Sequence, residues 1–98
     1  MFILITYDID IEGSGAKRLH KVAKICQNYG VRVQKSVFEL QILFDELLKL
    51  ESELKDVIDE EKDSIRIYNL GNSKRKNQIQ VIGKKEKIEL SSDDAFLL

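Results

Sequence analysis

Phe2-Ile3-Leu4-Ile5-Thr6-Tyr7-Asp8-Ile9 is a nearly unbroken run of β-branched, aromatic and other apolar residues that gives way to acids. Such a run, without polar alternation, predicts a strand buried on both faces and therefore central in its sheet. Gly13-Ser14-Gly15 interrupts it, with Ser14 placed to cap a following helix. Ala16, Leu19, Val22, Ala23, Cys26 and Tyr29 then recur at helical spacing. Lys17, Arg18, Lys21 and Lys24 fall on the opposite side, and Gly30 is placed to stop the helix. From Val31 to Ile42 β-formers dominate over a length too great for one strand in so small a chain. The segment divides near Lys35-Ser36 into two antiparallel strands, a single bulged strand being the alternative. Leu43, Leu47, Leu50, Leu54 and Val57 form the apolar stripe of a second amphipathic helix with acids between them. Asp63 to Leu70 alternates as a strand, Gly71 to Asn77 is a basic polar loop, and Ile79-Gln80-Val81-Ile82 is a last short strand.

The order β-α-β-β-α-β with one surplus strand predicts an α+β chain. With right-handed crossovers it is the ferredoxin-like sandwich, four antiparallel strands with two helices on one face. Residues 1–83 make one such domain, and 84–98 a tail. A sheet of this kind leaves a whole face open, which invites a second copy. A homodimer that exchanges the surplus C-terminal strand satisfies both features.

Composition narrows this picture. The chain has 98 residues, 43% hydrophobic and 34% charged, a globular rather than disordered balance. Its one cysteine excludes an internal disulfide framework and any Cys-based zinc site. The charge-free start, Met1 to Tyr7, is too short for a membrane span and lacks a basic leader, so a cytoplasmic protein without membrane association is expected. Net charge is −1, but it is segregated. Residues 17–35 carry six bases and no acid, whereas 39–63 carry ten acids and three bases. Bases gathered on one surface suit a polyanion, though a solvated helix face has the same composition.

Few residues offer chemistry. His20 stands alone on the first helix, Ser36 has no base nearby, and Gly13-Ser14-Gly15 lacks the spacing and lysine of a phosphate loop. Asp8 remains, at the C-terminal end of the central strand, with Asp10 two residues on and on the same side if the strand persists. Carboxylates suit Mg²⁺ or Mn²⁺, which keeps waters and a phosphate in its shell and could activate water against a phosphodiester. The alternative is a strand-capping aspartate that accepts backbone N–H groups.

These residues resemble the CRISPR-associated Cas-two (Cas2) family. The resemblance rests on Ile5-Thr6-Tyr7-Asp8-Ile9 and Lys17-Arg18-Leu19 with Val22. It continues through Tyr29-Gly30-Val31-Arg32-Val33-Gln34-Lys35-Ser36-Val37-Phe38-Glu39 and Asp63-Ser64-Ile65-Arg66-Ile67-Tyr68. It runs in order from Phe2 to about Gly83, with departures at Leu40, Leu43 and Asn69, where relatives often have Cys, Thr and Pro. It implies a ferredoxin-like homodimer whose last strand joins the other subunit's sheet. It further implies that Asp8 of each copy faces its mate across the two-fold axis as a metal ligand and catalytic carboxylate. Relatives are described as Mg²⁺-dependent endonucleases acting on single-stranded RNA or double-stranded DNA. They are also described as non-catalytic adaptors in the spacer-acquisition complex of antiviral defence, between dimers of the Cas-one (Cas1) integrase subunit. A weaker alternative is a ferredoxin-like regulatory domain for a small molecule.

A duplex platform grips phosphates without reading bases. Arg18, Arg32 and Lys35 are the leading expected phosphate contacts, Lys17, Lys21 and Lys74-Arg75-Lys76 secondary ones, and Gln34 and Ser36 neutral donors. The tail, acidic at Asp93-Asp94 and ending Ala95-Phe96-Leu97-Leu98, is expected to dock on the integrase partner, the alternative being a tail folded back on its own domain.

Overall fold

The structure, a computed structural model, describes residues 1–71 and 80–83. In chain order it contains β1 (Phe2–Asp8), α1 (Gly15–Gln27), β2 (Gly30–Gln34), β3 (Val37–Gln41), α2 (Phe44–Val57) and β4 (Ser64–Asn69). The strands form one antiparallel sheet in the order β2-β3-β1-β4, the ferredoxin-like arrangement the element order predicts. β1 is central because nearly every position in it is apolar, whereas its neighbours alternate. The turn at Lys35-Ser36 separates β2 from β3, and a register irregularity between Arg32 and Gln34 keeps something of the bulged alternative.

One row of residues crosses all four strands. Arg32 pairs with Phe38, Phe38 with Ile5, and Ile5 with Ile67. Ile3, Ile5, Phe38 and Leu40 on this face meet Leu19, Val22 and Cys26 of α1 and Leu47, Leu50 and Leu54 of α2 in one core. Burial pushes the Cys26 thiol up to about 12, so it packs as a small apolar group and is not a nucleophile.

Two local expectations are corrected. Ser14 precedes α1 without capping it, because its hydroxyl instead accepts Arg18 Nη1 at 2.7 Å. Gly30 does not end α1, which closes at Gln27. It begins β2, where a Cβ would collide with the Glu39 carbonyl and the Leu40 side chain. At the start of α2 the Leu43 N–H donates to Glu46 Oε1 at 2.9 Å, half of a capping box, since a leucine side chain accepts nothing.

Gln80, Val81 and Ile82 belong to no strand among the described residues. Val81 is 49% and Ile82 88% exposed. Ile79, Lys74-Arg75-Lys76 and the tail 84–98 lie outside the described residues. Among the described residues no helix is long and apolar enough to cross a membrane.

Candidate active site and phosphate-binding end

The C-terminal end of β1, the β2–β3 turn, the start of α1 and the start of β4 meet at one end of the sheet. The Tyr7 N–H donates to the Ser36 carbonyl at 3.2 Å, the Tyr7 hydroxyl to the Lys35 carbonyl at 3.4 Å, and Asp8 pairs in register with Ser64. Asp8 is exposed on the face turned away from the helices, since Ile3, Ile5 and Tyr7 alternate with it into the core. No hydrogen bond or ion pair among the described residues engages its carboxylate. Asp10 differs. The strand ends at Asp8, so Asp10 lies in the loop, where its Oδ1 accepts the Glu12 N–H at 3.0 Å.

A network beneath Asp8 organises this end. Asp63, its side chain wholly inaccessible, accepts Arg18 Nε at 2.8 Å and the Asp59 N–H at 2.9 Å on Oδ2, and the Asp10 N–H at 3.0 Å on Oδ1. Burial by itself would raise the Asp63 pKa. The hydrogen bonds from Arg18 and from the Asp59 and Asp10 amides outweigh it and hold the carboxyl below the ordinary range. Arg18 Nη2 also donates to the Asp10 carbonyl at 3.1 Å. Gly15 belongs to the same arrangement, because a Cβ there would run into that carbonyl.

The two arginines expected at phosphates are therefore placed otherwise. Arg18 spends its guanidinium on Asp63, Asp10 and Ser14. Arg32 is 4% exposed and turned into the core, 5.5 Å over the Phe38 ring and 3.5 Å from the Tyr7 hydroxyl. Its Nε and Nη1 find no acceptor among the described residues. The Val31-Arg32-Val33 alternation suggests the arginine faces out, but β2 turns Gly30 and Arg32 toward the helices and its valines toward the open face. Of the remaining expected contacts, Lys17, Lys21, Gln34 and Lys35 are exposed and Ser36 is half-buried. Lys17 and Lys21 stand one helical turn apart, and Lys24 continues their stripe.

Asp63 was not expected at this site. In the sequence it reads as the first residue of the alternating strand that runs to Leu70, whereas β4 begins one residue later, at Ser64. Among the described residues no three His, Cys, Asp or Glu side chains gather to hold a metal. The Asp8 carboxylate itself fits one, with two hard oxygens facing solvent and committed to nothing else.

The chain is similar to known proteins in sequence and fold. The family described as CRISPR associated protein Cas2 matches residues 1–78. The CRISPR-associated endonuclease Cas2 of Halalkalibacterium halodurans is 54% identical over 97 residues, 98% of this chain and 100% of that protein. The CRISPR-associated endoribonuclease Cas2 of Chlorobaculum tepidum is 43% identical over 91 residues, 92% of this chain and 94% of the relative. The crystal structure of Streptococcus pyogenes Cas2 at pH 6.5 superimposes with a TM-score of 0.73 at 43% identity, covering 85% of this chain and 100% of that one.

Proposed function

This chain belongs to the CRISPR-associated Cas2 family, and from that premise we propose that it is a homodimeric, Mg²⁺-dependent phosphodiesterase of nucleic acids with Asp8 as its catalytic carboxylate. The observation that carries the proposal is Asp8 itself, an exposed and uncommitted carboxylate closing the most buried strand of the fold. One carboxylate is half a site, and a two-fold axis supplies the other. The names endonuclease and endoribonuclease borne by relatives support the reaction class.

Three features support the dimer. β2 turns Val31, 42% exposed, and Val33 away from its own core, and β4 turns out Tyr68, 43% exposed. The outer edge of β4 has no neighbour within the described chain. Beside that edge runs a groove of about 210 Å³ floored by Leu54, Ile58, Ile65 and Ile67. An apolar strand from a second copy, Ile79 to Ile82, would pair with the edge and fill the groove. Truncation after Leu70 should therefore leave monomer or aggregate on size exclusion; a clean, stable dimer would refute strand exchange.

The Asp8 carboxylate of each copy would hold Mg²⁺, and the chemistry supplied there would be a water of lowered pKa and an offset to the charge on the phosphate. The chain's own work is to hold Asp8 in place and to draw nucleic acid to it. Lys17, Lys21 and Lys35 attract the phosphate backbone, while Gln34 and Ser36 offer neutral hydrogen bonds. The lysine stripe on α1 equally suits a duplex platform bridging Cas1 integrase subunits, the non-catalytic role open to the same dimer. Affinity for random duplex should fall by about 10³ or more between 50 and 200 mM salt if about six phosphates are neutralised. Lys21→Ala should reduce the salt slope by about one, independent of sequence. No binding at low salt would refute the nucleic-acid reading.

A further inference from the structure

We propose that Arg18 and Asp63 are positioning residues: they lock the β1–α1 loop and thereby fix the Asp8 carboxylate for its metal, an inference that rests on the reading just given. The loop spans residues 9–14, immediately after Asp8, and would be free to fray with six residues and one positive-φ glycine, Gly13. It is instead tied at both ends to one ion pair. The Asp10 N–H donates to Asp63 Oδ1 at 3.0 Å, and the Asp10 carbonyl accepts Arg18 Nη2 at 3.1 Å. The Ser14 hydroxyl accepts Arg18 Nη1 at 2.7 Å. The absent Cβ of Gly15 makes room for the Asp10 carbonyl to sit against α1.

Asp63 also precedes Ser64, the register partner of Asp8. Asp8 is thus held from the β4 side by pairing and from the loop side by tethers on Asp10, both referred to the same buried carboxylate. A site completed by a symmetry mate needs such fixing, because any drift of one carboxylate is doubled at the axis. Fold stability alone would require only opposite charges at 18 and 63. The guanidinium fork does more, reaching Asp63, Asp10 and Ser14 at once, and a lysine could not.

Arg18→Lys in the full-length protein separates these roles, with Ser14→Ala as a gentler variant that removes one exposed tether. Mn²⁺ serves as the probe, titrated by electron paramagnetic resonance, with amide exchange of residues 9–14 as a second readout. In Arg18→Lys the oligomeric state should be unchanged and the Mn²⁺ dissociation constant should rise about tenfold, as for loss of an outer-shell partner. Loop amides should exchange about tenfold faster while those of α2 are unaffected. Ser14→Ala should show the same two changes at smaller size. Wild-type loop exchange in both variants would overturn the lock, as would faster exchange with unaltered Mn²⁺ affinity. Asp8→Asn in the same titration separates the premise: wild-type Mn²⁺ binding there refutes the metal reading and the positioning role with it, whatever the loop exchange shows.

Discussion

Asp8→Asn should abolish Mg²⁺-dependent cleavage, by on the order of a hundredfold or more, while leaving the protein folded and dimeric. The asparagine keeps the shape of the side chain but removes the charge that a hard divalent cation requires, and a metal site supplies several kcal/mol of transition-state stabilisation, roughly 3 kcal/mol or more. Stability should change by no more than about 0.5 kcal/mol, as for other surface substitutions, because no hydrogen bond or ion pair among the described residues holds the carboxylate. Cleavage of RNA and duplex DNA substrates with Mg²⁺, and again with EDTA, gives the measurement. Activity that survives both EDTA and the substitution would place the chemistry elsewhere.

Asp63→Ala should differ in carrying a large cost in stability, beyond any effect on the site. It strips the acceptor from Arg18 and from the Asp59 and Asp10 amides at once. Removing one partner of a buried ion pair costs about 3 kcal/mol or more; here about 2–3 kcal/mol is expected, because Arg18 keeps 13% of its side chain in solvent. In a chain of this size that is about 10–20 °C in Tm. The effect should also depend on pH. The folded-state pKa of Asp63 is depressed below its ordinary 3.8, so its contribution is fully present above that value and fades as pH falls through the folded one. The stability gap between wild type and Asp63→Ala should therefore be flat from neutral pH down to about 5 and narrow at lower pH. A gap that stays constant into strong acid would show that the carboxylate's charge is not what stabilises.

The contrast between these two aspartates shows what the sequence could and could not disclose. The unbroken apolar run placed β1 at the centre of the sheet, and the leucine spacing placed α2, because burial on both faces and on one helical stripe leave distinct periods. Asp8 was legible for the same reason: a charge ending such a run stands at a strand end. Arg32 was not. Alternation tells which residues share a face but not which face is the core, and in β2 the apolar positions are the ones that face away from the helices. The valines of β2 point to that open face, and the arginine went inward. The engagement of Arg18 with Asp63 was hidden for a different reason. Four residues apart from Ser14 and close to Lys17 and Lys21, it looks like one more base on a helix. Only the return of the chain forty-five residues later brings Asp63 against it.

Two carboxylates from two copies, jointly required, are the core of the proposed chemistry, and a mixed dimer tests that most directly. Differently tagged wild-type and Asp8→Asn chains, co-expressed and purified through both tags, give a dimer with one Asp8. If the site is shared, its cleavage rate in Mg²⁺ should fall to that of the Asp8→Asn homodimer. A rate of about half the wild-type value, the result for two independent sites, would contradict it.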